Sequence, residues 1–342
     1  MPYTHFRYIA YQVPTVGHDG KNQNIYGIPP GNIANPQVEL DGDVLLLNQD
    51  AKTRIQRLMD VMYEARCWLT FDPADDNQST LKIFMAPEFY FRPNNQELSY
   101  DQKVYKAIKD VLRNTIGNKF PDWLVIPGTI MCNRKERPDV FFNTSLYIHK
   151  SSKKQIIEKA QCSDIDGIPQ GPGITAPEFF PEYNTEIKKC KHRFKINGIT
   201  CGLEICFEHI LNTYQPSNQP YGLLRELCYS NPPQLHLLTG CGMYIKPTSV
   251  TTTFPGYILR NDGICHIIPP YNYTELMMVN GYETDNITAK LISFQKDLDL
   301  PVPYPLCLGT PPGADHQSWD NHPQRIKIYP KLRLLSETFV NF

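Results

Sequence analysis

The chain has 342 residues, ten cysteines and a formal net charge of −1, with 34 basic against 35 acidic side chains. That length supports one large α/β domain or two ordinary ones, and the balanced charge gives no support for a nucleic-acid or anionic-membrane partner. No apolar run reaches membrane-spanning length, the opening MPYTHFRYIAYQ lacks the basic-then-apolar order of a signal peptide, and the cysteines show no paired spacing. A reducing, cytoplasmic setting is therefore expected.

In chain order, 6–13 reads as a first strand, and 15–43, rich in Gly, Pro and Asn without periodicity, as a long loop. Asn48 is placed to cap a helix running to about residue 68, with Ile55, Leu58, Met59 and Met62 as its apolar stripe. Residues 81–91, LKIFMAPEFYF, form an apolar strand that ends at Pro87-Glu88. A carboxylate there, walled by Phe89, Tyr90 and Phe91, is expected to have a raised pKa and to serve as acid or base near neutrality. A second helix is expected over 102–114, with Val104, Ile108, Val111 and Leu112 on one side. Residues 123–131 read as one buried strand and 134–139 as a charged turn. An apolar strand over 142–148 and a basic turn lead to a second strand carrying Lys159.

Residues 163–192 are again loop-like. Asn197-Gly198 is the strongest hairpin signal, since both residues tolerate positive φ. After it Ile199, Cys201, Leu203 and Ile205 alternate with Thr200, Gly202 and Glu204, the period of a half-buried strand. That strand delivers Cys206 to its end, before a segment with Glu208 and His209 that is suited to start a helix. A thiol in such a sharp turn has the next backbone N–H groups aimed at whatever it attacks. By itself Cys206 reads as one more buried small apolar residue, as most free cysteines are. Further on, 221–230 fits an amphipathic helix with Leu224, Leu227 and Cys228 facing in, stopped by Asn231-Pro232-Pro233. A strand over 235–238, a short helix over 257–262, a strand over 265–269 and a late strand over 288–294 complete the pattern.

A strand-end Glu, a Lys after a hairpin and a Cys at a strand-to-helix turn, in that order, resemble the nitrilase, or carbon–nitrogen hydrolase, superfamily. Pro87-Glu88 matches its P-E, Asn143-Thr144-Ser145 followed by Glu158-Lys159 its N-[ST]-[AS] strand and Lys step, and Glu204-Ile205-Cys206-Phe207-Glu208 its I-C-[WY]-[DE] elbow. Residues 9–14, Ile-Ala-Tyr-Gln-Val-Pro, are similar to the turn ending its first strand. The matches run from about residue 8 to about residue 268.

The resemblance implies an α-β-β-α sandwich of two mixed β-sheets flanked by helices, spanning 1–300, with 301–342 as a C-terminal extension packed on the domain or on a partner subunit. It implies Glu88, Lys159 and Cys206 as a catalytic triad and Phe207, Gly240, Cys241 and Met243 as pocket residues. Glu178, in Thr175-Ala176-Pro177-Glu178, is its candidate for a carboxylate supporting Lys159, with Glu182 as competitor. The implied activity is hydrolysis of a non-peptide C–N bond in an amide or nitrile, without cofactor or metal, in a homodimer or larger assembly. Acyl transfer to an amine or alcohol, and a catalytically altered binding protein, are the alternatives. Cys190, His192, Cys201, His209, Cys265 and His266 show neither C-x-x-C nor H-x-x-x-H spacing, so no metal site is expected. A Cys206–His209 thiol pair is disfavoured, because three residues across such a turn direct His209 away from the thiol.

Overall fold

The computed structural model describes residues 3–13, 15, 36–70, 79–93, 99–135, 137–152, 156–160, 192–210, 222–263, 274–283, 286–299 and 324–334. Two six-stranded mixed sheets carry the fold. In the first, β1 (His5–Gln12), β2 (Thr80–Met85) and β3 (Trp123–Ile126) run parallel. On the other side of β1 lie β13 (Lys296–Asp299), β14 (Arg325–Ile328) and β15 (Leu332–Arg333), all antiparallel to their neighbours. In the second, β8 (Ile199–Ile205), β9 (Leu235–Gly240) and β10 (Gly256–Asp262) are parallel. They are flanked antiparallel by β7 (Arg193–Ile196) on one side and by β11 (Thr274–Glu283) and β12 (Asn286–Leu291) on the other. A smaller antiparallel sheet joins β4 (Thr129–Arg134), β5 (Arg137–Leu146) and β6 (Ile156–Glu158).

Strand alternation sorts the core into layers. From β1, Phe6, Tyr8 and Ala10 pack with Leu203, Ile205, Leu237 and Leu259 between the two sheets. The alternate residues Ile9 and Tyr11 pack with Ile55, Leu58, Ile108 and Val111 of α1 (Gln49–Thr70) and α2 (Gln102–Lys119). On the far face of the second sheet, α3 (Leu223–Cys228) lies so close that a Cβ on Gly202 would meet Leu224 Cδ2 at 2.5 Å. The order of layers is α-β-β-α. Polar pins cross between the sheets: Asn261 Nδ2 donates to the carbonyls of Tyr11 and Met85 at 2.9 and 2.6 Å, and the Tyr8 hydroxyl to the Arg260 carbonyl at 2.8 Å. No helix among the described residues is long and apolar enough to cross a membrane.

Helix starts follow the caps in the sequence. Asn48 Oδ1 accepts from Ala51 N–H at 2.9 Å and Asp101 Oδ1 from Val104 N–H at 2.8 Å. Four expectations need correction. The charged turn expected over 134–139 is shorter, because β4 runs to Arg134 and β5 begins at Arg137. Residues 123–131 are two strands, since Gly128 at φ 83° breaks them. Residues 257–262, Tyr-Ile-Leu-Arg-Asn-Asp, form a strand, not a short helix: the segment pairs parallel with β9 and is buried along its whole length, on both faces. The second helix runs five residues past 114, to Lys119, through Thr115 and Ile116, which are buried. The expected boundary near residue 300 falls between β13 and β14, which pair with each other inside the first sheet. The strand expected over 265–269 lies outside the described residues.

Candidate active site

The carboxyl ends of the parallel strands meet at one edge of the sandwich, and the chain there turns abruptly. Phe89 and Cys206 have φ of 62° and 49°, the left-handed region that costs a non-glycine residue roughly 1–3 kcal/mol. Both turns are held. The Phe89 N–H donates to Thr129 Oγ1 at 2.9 Å, and the Glu88 N–H donates to the Gly240 carbonyl at 3.3 Å. Gly128 packs its α-carbon against the same turn; a Cβ there would collide with the Pro87 carbonyl oxygen.

Glu88 is fully buried, and its Oε1 accepts from Lys159 Nζ and from Asn143 Nδ2, both at 2.9 Å. The Lys159–Glu88 ion pair has both side chains at 0% exposure. Asn143 also sets the lysine's backbone, because its carbonyl accepts from the Lys159 N–H at 2.8 Å. Thus β5 positions both partners of the carboxylate. The Phe89 ring flanks the pair, 5.9 Å from Lys159 Nζ.

Cys206 opens a 3₁₀ turn over Cys206–Ile210 directly after β8, and its thiol donates to the Cys241 carbonyl at 3.6 Å. Glu88 and Cys206 therefore contact successive residues, Gly240 and Cys241, at the end of β9. Cys241 keeps its thiol turned to Thr15 Oγ1 at 3.8 Å. Burial, then the nearby Asp262 and Glu88, push that thiol well above its ordinary pKa, and burial does the same to Cys201. Neither sulfur is poised as a thiolate.

The loop after β9 is fastened by Asp262, whose carboxylate accepts from the Gly242 and Met243 N–H groups at 2.8 to 3.0 Å. Arg260 Nη1 donates to the Met243 carbonyl at 2.7 Å. Met243 is 6% exposed and belongs to the core between the sheets, while Gly240 approaches Met243 Cβ and Asp262 Oδ2 closely. Phe207 is half-buried against Ala160 and Leu223. Glu178 and Glu182 lie outside the described residues.

Behind the elbow, Glu204 is buried and ionised, its pKa down to about 2: burial opposes this, and His236 and His209 outweigh it. Its Oε2 takes His209 Nδ1 at 2.6 Å and His236 Nε2 at 2.9 Å, and its Oε1 takes the Leu224 N–H at 2.5 Å. These three side chains could hold a metal by spacing alone. The outer nitrogens decide otherwise: His209 Nε2 accepts from the Lys246 N–H at 3.0 Å and His236 Nδ1 from the Thr251 N–H at 3.3 Å. Each neutral ring must then carry its proton on the nitrogen facing Glu204, where a metal ligand needs a lone pair. The cluster is a hydrogen-bonded brace, and His209 is turned away from the thiol as expected.

The structure pairs Glu88 with Lys159 and sets Cys206 on the Cys241 carbonyl, next to the Gly240 that holds the Glu88 N–H; the sequence reading missed Asn143, Asp262 and His236. Asn143 was visible as the first residue of the Asn-Thr-Ser strand; Asp262 and His236 carried no local signal.

Fold and site together define a layered α/β protein with a buried Glu–Lys ion pair beside a strained thiol turn. No family model and no curated protein matches the chain. Similar solved structures include the amidase from Nesterenkonia sp. AN1, in a mutant form with the acetamide moiety of fluoroacetamide added at its active-site cysteine. It is 10% identical, with a TM-score of 0.40, covering 96% of this chain and 91% of that one. XC1258 from Xanthomonas campestris, a CN-hydrolase superfamily protein, is 11% identical with a TM-score of 0.37, covering 84% and 91%. A glutamine-dependent NAD(+) synthetase from Cytophaga hutchinsonii is 9% identical with a TM-score of 0.39, covering 83% of this chain and 40% of that one.

Proposed function

We propose that the protein is a carbon–nitrogen hydrolase acting on a small non-peptide amide or nitrile through a thioester on Cys206. The observation that carries this reading is the buried Glu88–Lys159 pair at 2.9 Å, reached from the same β9 loop that contacts the thiol. A buried ion pair is costly to maintain, and one set beside a thiol in a left-handed turn suits proton transfer and charge stabilisation.

In the proposed cycle Glu88 takes the Cys206 proton and the thiolate attacks the carbonyl or nitrile carbon. Lys159 and the Phe207 N–H stabilise the charge that develops on oxygen or nitrogen. For an amide, Glu88 returns the proton to the leaving ammonia or amine, which leaves the thioester. Glu88 then deprotonates a water that cleaves it, releasing the acid and the thiol. A nitrile takes up one further water before ammonia leaves. The chemistry asks for no cofactor; a cytoplasmic homodimer or larger assembly is part of the same proposal, and light scattering checks its size.

The test is ammonia release from a panel of small amides and nitriles, with folded Cys206→Ala as control. Turnover in the wild type and none in the variant is expected; equal turnover in both ends the reading. Acyl transfer is the second reading, and adding hydroxylamine or an alcohol separates it: an acyl adduct in place of free acid supports transfer.

A further inference from the structure

Three buried carboxylates surround the elbow. Glu88 belongs to the proposed chemistry and Glu204 to the brace behind it. Glu208 has two bonds that neither role explains. Its Oε1 accepts from the Ala160 N–H at 2.6 Å, and its Oε2 accepts from the Ile205 N–H at 2.8 Å. Ala160 follows Lys159 and Ile205 precedes Cys206, so one fully buried side chain holds the peptide next to the cation and the peptide next to the thiol.

Among the described residues no sheet ladder joins the two positions. Lys159 follows β6, in the three-stranded sheet, whereas Cys206 follows β8, in the second six-stranded sheet. Glu88 is fastened to the second sheet by its N–H on the Gly240 carbonyl, whereas the Lys159 backbone is fastened to β5 through the Asn143 carbonyl. Glu208 crosses that gap. A carboxylate suits the task because it offers two acceptor oxygens and no donor to two N–H groups. His192 backs it from the other side, its Nδ1 3.9 Å from Glu208 Oε2 and 2.9 Å from the Leu203 carbonyl.

We propose that Glu208 is a positioning residue that sets the distance between Lys159 and Cys206 by clamping the backbone beside each. This rests on the hydrolase reading for its purpose, but its test does not need a substrate. Glu208→Gln keeps the volume and one acceptor, and it sets an amide N–H₂ against one of the two backbone N–H groups.

The experiment measures Cys206 alkylation by iodoacetamide against pH, by peptide mass spectrometry, in wild type and in folded Glu208→Gln and Glu208→Asp. Loss of the clamp moves the lysine from the thiol. The Glu208→Gln profile should then shift to higher pH by about one unit, roughly tenfold slower alkylation at neutral pH. Glu208→Asp, which keeps both acceptors, should fall between. If Glu208 acted only as a nearby negative charge, neutralising it would ease thiolate formation and shift the profile down; a downward shift or a coincident profile overturns the proposal. Should neither variant fold, amide hydrogen exchange on the wild type decides. Equal protection of Ala160 and Ile205 supports the clamp, and free exchange at Ala160 with Ile205 protected overturns it. An upward shift without turnover of any amide or nitrile would retain the clamp and sink the hydrolase reading; turnover with a coincident profile would do the reverse.

Discussion

Glu88 and Lys159 are each buried with the other, so removing one has two separable consequences. In Lys159→Met the bulk stays and the cation goes, leaving a buried carboxylate without its counter-charge; breaking a buried pair from one side typically costs about 3–5 kcal/mol. Glu88→Gln keeps the size and the Asn143 contact but accepts no proton from the thiol. Each single variant should lose on the order of 100-fold or more in rate. Because the groups act as one unit, the double variant should be little slower than the slower single. Stability should run the other way: Glu88→Gln/Lys159→Met should melt above Lys159→Met, since no buried charge is stranded. Turnover assays and thermal melts on the three proteins check both statements, and near-normal turnover in either single variant would remove that residue from the site.

Two glycines sit where a Cβ has no room, Gly202 within β8 under α3 and Gly128 at the break between β3 and β4. Gly202 would place its Cβ against the flexible end of Leu224, which can shift, so Gly202→Ala should cost about 1–3 kcal/mol by overpacking. Gly128 has φ 83° and would press a Cβ onto the Pro87 backbone oxygen. Gly128→Ala should therefore cost more than Gly202→Ala and also slow turnover, because Pro87 carries Glu88; denaturant midpoints and initial rates compare them. An order of stability opposite to this would mean that the turn at Glu88 yields easily. These same positions mark what could be read in the sequence. Alternation around Cys201 and Leu203, the Asn48 cap and the Asn197-Gly198 turn are local signals, and each element formed where they lie. Residues 257–262 misled because three apolar residues followed by Arg260, Asn261 and Asp262, all of them buried in the strand, show no alternation to separate strand from helix. The pairing of β14 with β1 joins residues more than 300 apart in the chain and left no mark in either segment. Asp262 and Glu208 escaped for the related reason that their partners are backbone N–H groups, whose positions depend on the finished fold.

At the scale of the whole molecule, burial holds several histidines, thiols and tyrosines in their neutral forms, and this shapes how stability should depend on pH. Burial lowers the pKa of His149 to about 4, against a small opposing effect of Asp122. His209 is also lowered, by burial more than Glu204 raises it. Its neutral ring accepts from the Lys246 N–H, and the His149 ring accepts the Ser151 N–H on Nδ1 at 3.1 Å and donates from Nε2 to the Tyr3 hydroxyl at 3.1 Å. In the unfolded chain both histidines titrate near 6.5. Below that value the unfolded state binds the extra protons, so stability falls as pH drops from about 6.5 towards 4. Glu208 acts against this: burial raises its pKa, so between about 4.5 and its folded value the folded state holds the extra proton. Glu204, held down to about 2, adds to the acid-side loss because the unfolded chain takes up that proton first, whereas Asp60 and Glu226, raised by burial like Glu208, oppose it. On the alkaline side burial raises Tyr8, Tyr11, Tyr90 and Tyr100, and Tyr329 to about 12. Their unfolded counterparts ionise near 10, so stability falls again as pH rises beyond that. Melting temperature against pH should show a plateau between about 6.5 and 8.5 with a shoulder on each side, because the unfolded Cys201 and Cys241 thiols ionise before the buried ones and the tyrosines follow near 10. Replacing His149 by Gln, which retains a hydrogen-bonding side chain that does not titrate, should flatten the acid shoulder and leave the alkaline one in place. An acid shoulder unchanged in His149→Gln would show that this histidine is not held neutral by the fold.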